Sequence, residues 1–126
     1  MAAILALLLM GSTAVFAASY SFVFDDANTS RDSGVVYKSD VTTAATVTQT
    51  GSSPGVYSVG YRIMYCPTGI AVNMSANEIV LACTNRSTTL IPYYNGNGDL
   101  TGECKLRGRY IGQANNSVTV NGTWNP

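Results

Sequence analysis

The strongest constraint on the fold of this 126-residue chain is a two-residue alternation between positions 57 and 65. Tyrosine, valine and isoleucine occupy the odd positions, and Ser58, Gly60, Arg62 and Met64 occupy the even ones. Because successive side chains of a β-strand point to opposite faces, the alternation predicts a strand with one aromatic and aliphatic face.

Composition extends this prediction to the rest of the chain. Residues 18–126 contain 11 Val, 5 Ile and 13 Thr against 8 Ala and 4 Leu, a balance that favours pleated strands because of side-chain shape. Turn-forming residues at 51–55 and 95–99 separate short strand-like segments. The sequence therefore predicts one mostly β domain, an antiparallel β-sandwich or barrel, over residues 18–126. Its predicted strands cover 19–24, 35–38, 41–50, 57–65, 88–94, 106–111 and 117–124.

The segment from 75 to 83 fits two structures equally well. Ser75 and Glu78 have the spacing of a helix capping box, whereas the following Ile79-Val80-Leu81-Ala82 run suits either a short helix or a strand. A short helix near 75–83 is therefore one of two expectations.

Residues 1–17 are predicted to be a signal peptide that is removed by cleavage after Ala17. An apolar run from 2 to 10 is followed by small residues at the two positions that a signal peptidase reads, Val15 and Ala17. The run is much shorter than the roughly 20 residues that cross a bilayer. We therefore expect a secreted protein, periplasmic or extracellular, with no membrane span in its mature chain.

The chain lacks the residues on which most catalytic mechanisms depend. It contains no His, which excludes Ser-His-Asp and Cys-His nucleophile systems and His-ligated metal sites. No pair of carboxylates stands out by spacing, and seven basic residues balance seven acidic ones, so neutral overall charge gives nucleic-acid binding no support. We expect no enzyme activity, no cofactor, no metal and no nucleic-acid partner.

Three cysteines, Cys66, Cys83 and Cys104, suggest one disulfide in an exported protein. The favoured pairing joins Cys66 to Cys83 around a compact excursion, while Cys66–Cys104 and Cys83–Cys104 remain open alternatives. The leftover thiol, expected to be Cys104, is then either buried or paired with another chain.

Five Asn-X-Ser/Thr sequons would carry glycans if the source glycosylates its exported proteins. They begin at Asn28, Asn73, Asn85, Asn115 and Asn121.

Eight Tyr and one Trp among few charged residues indicate a recognition function, since these side chains combine apolar area with one polar atom. The candidate ligand contacts are Tyr93, Tyr94 and Trp124, beside a turn or near the chain end. The first hypothesis is thus a non-enzymatic surface-recognition or adhesion domain that binds a protein or carbohydrate. The alternative is a subunit of an extracellular fibre or coat, which would join copies of itself through strand addition by residues 18–24.

Overall fold

The computed structural model describes residues 17–25, 29–53, 58–112 and 117–126, so almost all of the predicted signal peptide lies outside the described residues. The mostly β prediction is confirmed: two antiparallel sheets pack together as a β-sandwich-like domain. The strands are β1 (Ala18–Phe24), β2 (Ser30–Asp32), β3 (Val36–Lys38), β4 (Ala44–Ser52), β5 (Ser58–Tyr65), β6 (Val72–Asn73), β7 (Ile79–Ala82), β8 (Thr89–Pro92), β9 (Gly102–Ile111) and β10 (Val118–Asn125).

One sheet contains β1, β10, β4 and β8 in that order, and we call it sheet A. The other, sheet B, is centred on β9 and β5, with β2 and β3 beside β9 and with β6 and β7 beside β5. The strands before and after the turn-forming sequences at 51–55 and 95–99 do not pair with each other. β4 and β8 belong to sheet A, whereas the strands that follow them, β5 and β9, belong to sheet B.

The segment from 75 to 83 contains a strand, β7 (Ile79–Ala82), and no helix. Both members of the predicted capping box have partners on sheet B instead. The Ser75 hydroxyl accepts a hydrogen bond from the amide of Ile63 at 2.6 Å, and the Glu78 carboxylate binds Arg109. Tertiary contacts therefore use the two side chains that would otherwise cap a helix. The described residues contain one helical turn, the 3₁₀ segment Asn97–Asp99, and no helix long and apolar enough to cross a bilayer.

Three aromatic side chains of β1 form much of the core. Tyr20, Phe22 and Phe24 point between the sheets and are at most 6% exposed. Their rings lie against strand positions that have no side chain: a Cβ at Gly108 would lie 2.7 Å from the Phe22 ring, and a Cβ at Gly122 would overlap the Tyr20 ring. These two glycines are therefore required for the close packing of β1.

A hydrogen-bonded chain of buried polar groups joins the two sheets. The hydroxyl groups of Tyr20 and Tyr61 are 2.9 Å apart, and Tyr61 donates to the Gln49 side-chain oxygen at 2.8 Å. The Gln49 amide group in turn donates to the carbonyls of Ala82 and Asn85. Every polar group in this hydrogen-bonded network has a partner. The network therefore fixes the relative position of β1, β4 and β5 without leaving a buried polar group unpaired.

Candidate functional site

The three aromatic ligand-contact candidates have different environments. Tyr94 is 64% exposed, whereas Tyr93 is 7% exposed and Trp124 is 1% exposed. Trp124 belongs to the hydrophobic core, and Tyr93 is buried in that core with one side beside a groove. The exposure that a ligand contact requires is therefore present at Tyr94 and absent at Trp124 and Tyr93, because Trp124 on β10 and Tyr93, directly after β8, are buried in the core.

Tyr94 lies on the rim of a groove of about 660 Å³ that we call the loop groove. The segment before β4 and the segment after β8 form its two walls. Val41 and Tyr94 expose roughly two thirds of their surface, and Asp99 adds an exposed carboxylate. The lining residues are Val41, Thr42, Thr43, Tyr93, Tyr94, Asn95, Gly96, Gly98 and Asp99.

A buried lysine holds the walls of the loop groove together. The Lys38 ammonium group donates to the carbonyl of Gly98 at 2.7 Å and to the carbonyl of Asp40, and it lies 5.3 Å from the centre of the Tyr93 ring. Its side chain is 1% exposed, and this burial lowers the pKa of Lys38 below its ordinary value. Because the ammonium group binds both walls, Lys38 sets the width of the groove rather than contacting a ligand.

Backbone contacts fix the same walls. The Thr42 amide donates to the Gly98 carbonyl and the Tyr93 amide to the Thr43 carbonyl, at 3.3 and 3.0 Å. A Cβ at Gly98 would overlap the Thr42 carbonyl oxygen, so this close approach needs glycine. Gly96 has φ of +85°, a left-handed conformation that glycine adopts readily. The glycine-rich turn identified in the sequence therefore has a defined shape.

Two buried hydroxyl groups lie beneath the groove, those of Tyr93 and Thr42. Among the described residues, neither the Tyr93 hydroxyl nor the Thr42 hydroxyl makes a hydrogen bond of normal geometry, although both atoms are buried. Burial raises the pKa of Tyr93, and the nearby Thr42 hydroxyl opposes that shift. Both phenol and alcohol are therefore neutral groups that can donate or accept.

A second polar surface lies on the outward face of sheet B. Arg107 binds Asp32 through two hydrogen bonds of 2.6 and 2.9 Å, and Arg109 binds Glu78 through two of 3.0 and 2.6 Å. These pairs hold the pKa values of the Asp32 and Glu78 carboxyl groups below their ordinary values. The face is therefore charged and ordered by paired guanidinium and carboxylate groups.

The cysteines do not form the expected bridge. All three are buried and free in the structure. Cys83 follows β7, whose last residue pairs with Ser58 at the start of β5, whereas Cys66 follows the end of the same eight-residue strand. Strand residues advance about 3.3 Å each, so the fold separates Cys66 from Cys83 far beyond the 7 Å limit between bridged Cα atoms, and their predicted pairing is wrong for this fold. The strand register instead brings Cys66 beside Cys104, because the Cys66 amide donates to the carbonyl of Glu103.

Three of the five sequon asparagines lie in the described part of the chain. Asn73 and Asn121 are exposed positions of β6 and β10, and Asn85 is partly buried after β7. Asn28 and Asn115 lie outside the described residues, and glycosylation of all five stays a prediction.

Sequence reasoning identified one wall of the loop groove and missed the other. The sequence pattern predicts a strand for Val41, Thr42 and Thr43 and indicates no function for Lys38. Their part in the groove depends on contacts between segments at least 50 positions apart, for which a single sequence carries no local signal.

Comparison of the chain with protein-family models, with curated proteins and with solved structures finds no match. Within the described ranges, no three His, Cys, Asp or Glu side chains converge on a point where a metal ion would bind. The features of this chain that bear on function are therefore the loop groove and the charged outward face of sheet B.

Proposed function

We propose that this chain is a non-enzymatic recognition domain that binds a carbohydrate in the loop groove. The observation that carries the proposal is the exposed Tyr94 ring on the rim of a groove that also presents Asp99 and Asn95. An exposed aromatic face suits the apolar side of a sugar ring, and carboxylate and amide groups suit its hydroxyl groups.

The dimensions of the groove favour a carbohydrate over a protein surface. Its volume of about 660 Å³ lies within the range of small-molecule sites, roughly 300–1,000 Å³. A stable protein interface buries about 800 Å² of each partner, which is a larger and flatter contact than this groove supplies. We place the protein in the secreted class on its predicted signal peptide, which is consistent with recognition of a surface outside the cell.

Replacing Tyr94 with alanine is expected to reduce carbohydrate binding at least tenfold and to leave the melting temperature unchanged. The reason is that the ring is mostly exposed, so its loss removes ligand contact without opening a core cavity. Binding is measured first on a glycan array and then by calorimetry with the best glycan.

Tyr37 is the matched control, because it is also a tyrosine with 64% of its surface exposed and is not among the groove residues. Tyr37→Ala should bind the same glycan with unchanged affinity. An array on which the wild-type protein recognises no glycan, or equal losses in the two variants, would contradict carbohydrate binding at the loop groove.

A second candidate function, assembly by strand addition through residues 18–24, is favoured by the position of β1. This strand is at the edge of sheet A and pairs along its whole length with β10, from Ala18 opposite Trp124 to Phe24 opposite Val118. In the structure it completes its own domain. Exchange of β1 between copies would preserve every one of these contacts, which is the requirement for a fibre built by strand addition.

A cross-link between β1 and β10 distinguishes the two arrangements. Ser21 and Asn121 are opposite each other and their exposed side chains form a 2.7 Å hydrogen bond, so a Ser21→Cys/Asn121→Cys variant places two thiols at that position. For strand addition we expect oxidation to link successive chains into a ladder on a non-reducing gel. Only internally bridged monomers, with Ser21→Cys alone giving none, would eliminate the fibre candidate.

A further inference from the structure

The guanidinium group of Arg62, on the outward face of sheet B, has few contacts with its neighbours. Arg62 lies on β5 directly opposite Arg107 on β9. Its one ion-pair contact in the described structure is with Glu78, at 3.9 Å, and no described residue accepts a hydrogen bond from it. Like charges at directly opposed strand positions are unfavourable, so this placement is unexpected for a surface with only a structural role.

The surroundings of Arg62 form a cleft of about 320 Å³, which we call the arginine cleft. Its floor is Gly60, where the absence of a side chain lets Glu78 lie against the strand: a Cβ there would be 2.6 Å from a Glu78 carboxylate oxygen. The cleft is lined by Ser30, Gly60, Arg62, Glu78, Arg107 and Arg109.

The charges in the arginine cleft do not cancel. Arg107 is neutralised by Asp32 and Arg109 by Glu78, each in a two-bond pair. Arg62 lies 3.9 Å from the Glu78 carboxylate, which is already paired with Arg109, so one positive charge is left uncompensated. Lys105 and Glu103 also lie on this face of β9, and they add one charge of each sign. Since both paired carboxyl groups have lowered pKa values, the two ion pairs persist at mildly acidic pH and the excess stays at one charge.

We propose that the arginine cleft binds a sulfate or phosphate group through Arg62. A guanidinium group presents planar, paired N–H donors that match two oxygens of such an oxyanion. Arg62 is 38% exposed, so an anion reaches it from solvent, and the Ser30 hydroxyl at the cleft wall supplies a further donor. Placement of the anion between Arg62 and Arg107 would also offset their repulsion. The cleft shares no residue with the loop groove, so this site does not depend on the proposed carbohydrate function.

The test is a titration of the intact domain with sodium sulfate at constant ionic strength, followed by ¹H–¹⁵N NMR of the arginine Nε–H groups and backbone amides. We expect saturable shifts of the Arg62 Nε–H and Gly60 amide signals, and at least a tenfold weaker affinity in Arg62→Gln. This variant should fold normally because it removes one of two opposed positive charges. Arg86→Gln is the matched control, since it removes the same charge from the loop between β7 and β8 and should retain wild-type sulfate affinity.

A second variant changes the affinity in the opposite direction. Glu78→Gln removes the carboxylate that competes for Arg62 and Arg109, so sulfate should bind several-fold more tightly. Parallel titrations with inorganic phosphate, a sulfated sugar and a phosphorylated sugar identify which source of the oxyanion is preferred. Shifts that never saturate, or equal affinities in wild type and Arg62→Gln, would overturn the proposal.

Discussion

Replacement of Gly108 with alanine is expected to lower the free energy of unfolding by about 2–3 kcal/mol, a large part of the roughly 5–15 kcal/mol that stabilises a typical domain. The added methyl group would lie 2.7 Å from two carbons of the Phe22 ring and 3.3 Å from Phe24. Carbon atoms in contact are normally 3.5–4.0 Å apart, and Phe22 is 1% exposed, so the ring cannot move into solvent. Urea denaturation of both proteins at neutral pH measures the difference.

Two further variants show that the clash with the ring is the cause. Gly34→Ala is the control, because a Cβ at Gly34 meets nothing within 4 Å, and it should change stability by less than about 0.5 kcal/mol. In Gly108→Ala/Phe22→Leu the smaller side chain leaves room for the methyl group. The double variant should therefore lose at least about 1 kcal/mol less than the sum of the single losses. Strict additivity would show that Gly108 is required for some other reason.

The contrast between β1 and Gly108 shows how far the sequence predicts this fold. The two-residue alternation of Tyr20, Phe22 and Phe24 indicates a strand with one buried face, and the structure places all three rings in the core. The glycine against which Phe22 packs lies 86 positions further along the chain, within a segment whose own pattern predicts only a strand. The local alternation of residue types shows which face of a strand is apolar. The residue that each side chain contacts in the opposite sheet depends instead on how the two sheets pack.

In the candidate sites too, the sequence predicts the local features but not the contacts between distant segments. Tyr94 was identifiable because an aromatic residue preceded a glycine-rich turn, but the opposite groove wall and Lys38 were not, since their contacts join distant segments. The alternation of Lys105, Arg107 and Arg109 places three basic residues on one face of β9, which is its outward face. The pairing of Arg62 with Arg107 depends on the register between β5 and β9, and turn signals alone did not determine that register.

The domain is expected to lose stability steeply between pH 9 and pH 11, because buried thiol and phenol groups ionise at a higher pH in the folded state than in the unfolded chain. Burial raises the pKa of Cys83 and of Cys104 from 9.0 to about 11, and that of Tyr20 from 10.0 to about 12. Burial also raises the pKa values of Tyr61 and Tyr93. Below about pH 8 these groups are protonated in both states and contribute no pH dependence. At higher pH the unfolded chain releases protons that the folded chain retains, so the free energy of unfolding falls.

The size of the expected loss in the free energy of unfolding follows from these pKa shifts. At pH 11 each of the two thiols accounts for about 2 kcal/mol and Tyr20 for about 1 kcal/mol, so the three together remove about 5 kcal/mol, to which Tyr61 and Tyr93 add. A domain of ordinary stability is then close to unfolding at room temperature. Trp124, the single tryptophan and 1% exposed, reports unfolding by fluorescence, and urea titrations with reductant at each pH give the free energy.

The Cys83→Ala variant isolates one of these groups. Loss of the thiol lowers stability at neutral pH by leaving a small cavity, so the informative quantity is the slope between pH 9 and pH 11. Between pH 9 and pH 11 the free energy of unfolding of the variant should fall by about 2 kcal/mol less than that of the wild type. The reason is that the variant releases one proton fewer when it unfolds. A wild-type free energy that stays constant up to pH 11, or an unchanged slope in Cys83→Ala, would mean that the thiol ionises as readily in the folded domain as in the unfolded chain. The interior around Cys83 would then have to open to solvent without loss of the fold.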